Sequence, residues 1–106
     1  PGIKTATDAL VENAAKLPRI ELEKPPCVIG RSTITNMQSG VIYGFIGLVE
    51  NIVRMIKKEL GDDNVKVIAT GGMSQLMQYS DKKTIDVIDR DLTLSGLKII
   101  YDLNKE

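Results

Sequence analysis

Three short stretches hold the residue types that could do chemistry. Gly30-Arg31-Ser32-Thr33 sets a guanidinium and two hydroxyls immediately ahead of an apolar, helix-periodic run. A hydroxyl in that position commonly caps the backbone N–H groups of a helix's first turn, so Ser32 and Thr33 are both N-cap candidates. The sharper alternative is that Thr33 or Arg31 faces a polar ligand drawn to the positive helix end. Thr70-Gly71-Gly72 closes the β-branched run VKVIAT over 65–70. That is where α/β folds bind ligands, at the carboxyl end of a strand leading into a helix. Glycines there allow close backbone approach or dihedrals closed to other residues; a tight turn is the simpler account and nucleotide contact the more specific one. Asp86, Asp89 and Asp91 could form a carboxylate cluster, but Asp91 ahead of Leu-Thr-Leu reads as a helix cap and Asp89-Arg90 as a turn. Cys27, between Pro26 and Val28, reads as a packed thiol. None of these stretches completes a catalytic constellation.

Composition narrows the classes. The chain has no histidine, which removes imidazole acid–base chemistry and histidine-ligated metals. Fourteen basic and fourteen acidic side chains cancel, leaving no electrostatic footprint for nucleic acid or an anionic membrane. The few aromatics (Tyr43, Phe45, Tyr79 and Tyr101) offer no base-stacking platform. One cysteine excludes an internal disulfide framework. The longest apolar run, Val41 to Val49, is nine residues, short of a bilayer span, and the N-terminus is not signal-like. A cytoplasmic protein with no nucleic-acid or membrane partner fits these facts. At 106 residues it is one small domain or part of a larger one. The start at Pro1-Gly2, with a helical pattern beginning at once, reads as a piece of a longer chain.

The elements that must position these residues can be read from periodicity. Ile3 to Leu17 predicts an amphipathic helix with Ala6, Ala9, Leu10, Ala14 and Leu17 on the apolar face, ended by Pro18. Arg19 to Lys24 predicts a short exposed strand or an extended loop. A long helix is expected from about Thr33 to Leu60, with Val41, Phe45, Leu48, Val49, Ile52, Val53, Ile56 and Leu60 as its stripe and Gly61 just past its end. Within it, Gly40, Gly44 and Gly47, beside Ser39 and Tyr43, flatten one face. Each glycine costs about 1 kcal/mol against alanine inside a helix, which points to close packing on that face; a membrane dimer motif is opposed by Glu50, Arg54 and Lys57 on the same helix. Then follow a buried strand over 65–70, a short helix from Met73 to Tyr79, a strand over Thr84 to Ile88, and a helix from Asp91 to about Leu103. Its inner side is expected to hold Leu94, Leu97, Ile100, Tyr101 and Leu103. A strand–helix–strand unit of this spacing predicts a parallel pair. Two or three strands leave a parallel sheet incomplete, so further strands are expected N-terminal to Pro1.

Taken in order, PGIKTATDAL, AAKLP, IGRSTITNMQSGVIYG, VIATGG and DRDLTLSGL resemble the C-terminal half of type III pantothenate kinase. The resemblance implies an α/β fold: a partial ribonuclease H-like domain of the actin-like ATPase superfamily, with a long central helix, a short mostly parallel sheet and flanking helices. Residues 1–106 would be the C-terminal part of the second actin-like domain, lacking the N-terminal domain and this domain's first strands. The implied activity is ATP-dependent phosphorylation of pantothenate to 4'-phosphopantothenate, the first step of coenzyme A biosynthesis. It also implies that Pro1-Gly2 ends a Gly-Gly-x-Ile-x-Pro-Gly segment, that Thr33 contacts pantothenate, and that Thr70, Gly71 and Gly72 line the adenosine of ATP. Gly40, Tyr43, Gly44 and Gly47 would lie near a homodimer interface. ATP, Mg²⁺ and a monovalent cation (K⁺ or NH₄⁺) are the cofactors implied for the complete enzyme.

The family's Asp-x-Gly-Asn-Thr phosphate loop, its Gly-x-Asp-Arg segment with the general-base aspartate, and its Asp-x-Gly-Thr-Ala segment do not occur in these residues. Phosphoryl transfer needs positioned phosphates, metal and an oriented hydroxyl. The expectation is that the N-terminal half of the same protein supplies them, and that these 106 residues alone are inactive and hold no metal or catalytic residue. Two rival readings remain: a transcriptional accessory protein of the Bvg accessory factor type, and another actin-like sugar or small-molecule kinase.

Overall fold

The computed structural model describes residues 2–13, 17–72 and 74–105. It contains helix α1 (Ile3–Asn13), helix α2 (Thr33–Leu60), strand β1 (Ile68–Thr70), a 3-10 helix (Ser74–Tyr79), strand β2 (Val87–Asp89) and helix α3 (Leu92–Asn104). The chain divides into two compact units, Pro1–Ile52 and Val53–Glu106, and α2 runs through the boundary.

In the first unit α1 is described over Ile3–Asn13; residues 14–16, the continuation of the expected helix, lie outside the described residues, and Leu17 is not helical. Its buried residues are Ile3 and Thr7, not the expected alanine face, and Ala6, Ala9 and Leu10 are exposed. Thr7 can be buried because its hydroxyl donates to the Ile3 carbonyl one turn back, at 2.7 Å. Residues 17–30 follow as an extended strap with no strand ladder, so the loop alternative holds over Arg19 to Lys24. Pro25, Met37, Ile42 and Ile46 are buried with Ile3 to form this unit's core.

Both ends of α2 fall where the residues place them. Ser32 is the N-cap: Thr35 N–H donates to Ser32 Oγ at 3.1 Å while Ser32 N–H donates to Thr35 Oγ1 at 3.0 Å. This reciprocal pair is a capping box with threonine at its third helical position. At the other end Gly61 takes φ 67°. Asp62 N–H donates to the Lys57 carbonyl and Gly61 N–H to the Lys58 carbonyl, each at 3.2 Å, the paired bonds of a Schellman ending.

The buried side of α2 is not the expected stripe. Met37, Gln38, Ser39, Ile42 and Ile46 are buried, whereas Leu48, Ile52, Ile56 and Leu60 are exposed. The first half of α2 carries no charged residue and apolar residues on more than one side, so periodicity admits more than one stripe and the packing partner chooses. By length and composition alone α2 is long and apolar enough to cross a membrane, a test that the core helix of a soluble protein also passes.

In the second unit β1 and β2 pair in parallel, with Ile68 opposite Val87, Ala69 opposite Ile88 and Thr70 opposite Asp89. Each strand is three residues, shorter than the runs in the sequence suggest, and β1 is not buried: Ile68 and Thr70 are exposed and Ala69 half-buried. The expected short helix is a 3-10 helix from Ser74, with Met73 outside the described residues; Ser74, Leu76 and Met77 are buried there. The expected inner side of α3 is also corrected. Leu94, Leu97, Ile100, Tyr101 and Leu103 are all exposed, because two strands offer too little surface to cover it. Asp91 stands at the N-cap position without a side-chain cap bond.

Candidate functional site

The mouth of α2 separates the hydroxyls that the sequence presents together. Ser32 and Thr35 satisfy one another and the first-turn backbone; Thr35 Oγ1 also accepts from Arg31 N–H at 3.1 Å. Thr33, at the first helical position, is exposed and takes no part in this network. Of the two cap candidates Ser32 is therefore the cap. The Thr33 hydroxyl stays available to another molecule.

The strap ahead of this mouth is held against α2 by buried polar side chains. Gln38 Nε2 donates to the Glu21 carbonyl at 3.2 Å, and Ser39 Oγ donates to the Val28 carbonyl. Gly30 is required by close approach: a Cβ there would sit 2.5 Å from Asn36 N and 2.7 Å from Asn36 Cα. Backbone atoms cannot rotate away, so a side chain at position 30 would push the strap off the first turn. Sequence reading singled out the neighbouring hydroxyls but gave Gly30, Gln38 and Ser39 no role; the only signal was polar residues inside an apolar helical run.

Gly40, Gly44 and Gly47 lie exposed along α2, with Tyr43 half-buried between them. A Cβ at any of the three glycines would meet nothing within 4 Å among the described residues. Close packing among the described residues therefore does not explain them. Cys27 is exposed, against the expectation of a packed thiol, since the strap turns residues 26–29 outward.

In the second unit Thr70 ends β1, and Gly71 turns the chain at φ 99°, a conformation that L side chains rarely adopt. The Gly71 carbonyl accepts from Ser74 Oγ at 2.7 Å and Ser74 N–H at 3.2 Å, starting the 3-10 helix. Gly72 needs no special dihedral, and both glycines are open, so the backbone of this turn can be approached from outside. The nearby carboxylates are engaged locally: Asp86 Oδ2 accepts from Val67 N–H at 2.6 Å and Asp89 Oδ1 from Asp91 N–H at 3.2 Å. Among the described residues no group of three or more acidic, cysteine or histidine side chains could hold a metal ion.

Residues 1–55 match the family described as type III pantothenate kinase. The matched stretch includes Thr33, Gly40, Tyr43, Gly44 and Gly47 and stops short of Thr70.

Proposed function

Because the chain belongs to the type III pantothenate kinase family, we propose that it forms the substrate-binding part of an ATP-dependent kinase that converts pantothenate to 4'-phosphopantothenate, opening coenzyme A biosynthesis. The observation that carries this reading is Thr33: a hydroxyl inside the matched stretch, exposed at the start of α2, with capping done by its neighbours Ser32 and Thr35. A helix N-terminus favours polar and anionic groups, and pantothenate offers hydroxyl, amide and carboxylate groups to such a site. The open backbone of Thr70, Gly71 and Gly72 suits contact with the adenosine of ATP. Mg²⁺ and the monovalent cation belong with the phosphates, on residues outside these 106, together with the phosphate loop and the general base. That arrangement makes the chain the C-terminal part of an actin-like domain, with the uncovered faces of α3 and the two strands meeting the rest of the protein. The glycines at 40, 44 and 47 suit a homodimer contact. On this reading α2 is the central helix of a soluble cytoplasmic enzyme, consistent with Glu50, Arg54, Lys57, Lys58 and Glu59 along its second half.

A thermal-shift screen of the whole protein against pantothenate, hexoses and ATP tests the reading. Pantothenate and ATP are expected to raise the melting temperature while hexoses leave it unchanged. Stabilisation by a sugar and none by pantothenate would move the protein to another kinase class.

A further inference from the structure

Gln38 and Ser39 are 6% and 7% exposed, buried on α2 with the apolar Met37, Ile42 and Ile46. Burying polar side chains is costly unless each finds a partner, and both find theirs on the strap, at the carbonyls of Glu21 and Val28. Gly30 lets the strap come this close to the first turn, since a Cβ there would collide with the Asn36 backbone. Glu21, Val28 and Gly30 all lie on the stretch that leads directly into Arg31, Ser32 and Thr33. The unit's stability would be served as well by apolar contacts. What these attachments add is a fixed path for the chain entering α2.

We propose that Ser39 and Gly30 are positioning residues for Thr33. They pin the strap at Val28 and Gly30, so that Ser32 stays on its cap and the Thr33 hydroxyl is held uncovered at one place. The inference rests on the reading of Thr33 as the pantothenate contact. A shift of the strap would displace the helix mouth, and misplacement by about 1 Å can cost on the order of a hundredfold in a positioned reaction.

The test is steady-state kinetics of the whole enzyme with Ser39→Ala, Gly30→Ala, Thr33→Val and Ile46→Val. Ile46 is buried in the same unit without touching the strap's hydrogen bonds, so Ile46→Val controls for lost stability. The expected result is a KM for pantothenate raised about tenfold or more by Ser39→Ala and Gly30→Ala, with KM for ATP within about twofold of the parent. Ile46→Val should lower the melting temperature and leave both KM values alone. If Thr33→Val raises the pantothenate KM but Ser39→Ala and Gly30→Ala lower only the melting temperature, the positioning role is overturned while the Thr33 reading stands. If Thr33→Val moves neither KM, the Thr33 reading fails and the positioning role falls with it. Should Gly30→Ala fail to fold, Ser39→Ala, which deletes a single hydroxyl, decides the matter.

Discussion

Thr33→Val should raise the pantothenate requirement of the whole enzyme by about 10- to 100-fold, the cost of leaving a substrate polar group without its partner, and leave the ATP requirement nearly unchanged. Valine keeps the β-branched shape, so the substitution removes the hydroxyl and little else. It should not unravel the helix mouth, because Ser32 and Thr35 make the cap between themselves. Ser32→Ala gives the contrast: it removes the cap and should act mainly on stability. Initial-rate kinetics with each substrate varied in turn separates the two outcomes. An equal rise in both KM values for Thr33→Val would reduce the residue to a part of the local fold.

The largest stability effect is expected at Ile42, which is fully buried at 0% exposure in the first unit's core. Truncation to alanine there should cost about 2–5 kcal/mol, from lost transfer energy and the cavity left behind. That is a large share of the roughly 5–15 kcal/mol that holds a typical domain together. Leu48→Ala, at a site 49% exposed on the same helix, should cost much less. Denaturant midpoints for the two variants check the assignment. The stripe read from periodicity ranks Leu48 as a core residue and leaves Ile42 out, so a larger loss at Leu48 would restore it.

The contrast between Ile42 and Leu48 also marks where sequence reading stops. Element boundaries set by local chemistry were legible: Ser32 and Gly61 carry their own capping signals, and α2 begins and ends beside them. The parallel pairing of the two β-branched runs was legible too, because a strand–helix–strand unit leaves little choice. Burial was not. Which side of α2 or α3 faces inward depends on what lies against it, and both helices carry apolar residues on several sides. Thr7 was missed because a threonine that bonds its own helix can be buried at little cost. At the candidate site, the sequence supplied three adjacent polar residues and could not apportion their roles. Hydrogen-bond geometry gives the cap to Ser32, and a steric limit at Gly30 explains a glycine that periodicity treats as punctuation.

The central claim is that this chain serves a pantothenate kinase, and its most direct test follows the product. The whole protein, incubated with pantothenate, ATP and Mg²⁺, should form 4'-phosphopantothenate, detected by mass spectrometry as a mass gain of one phosphoryl group, with one ADP released per product. Turnover of ATP with a sugar as acceptor, and no phosphorylated pantothenate under the same conditions, would contradict it.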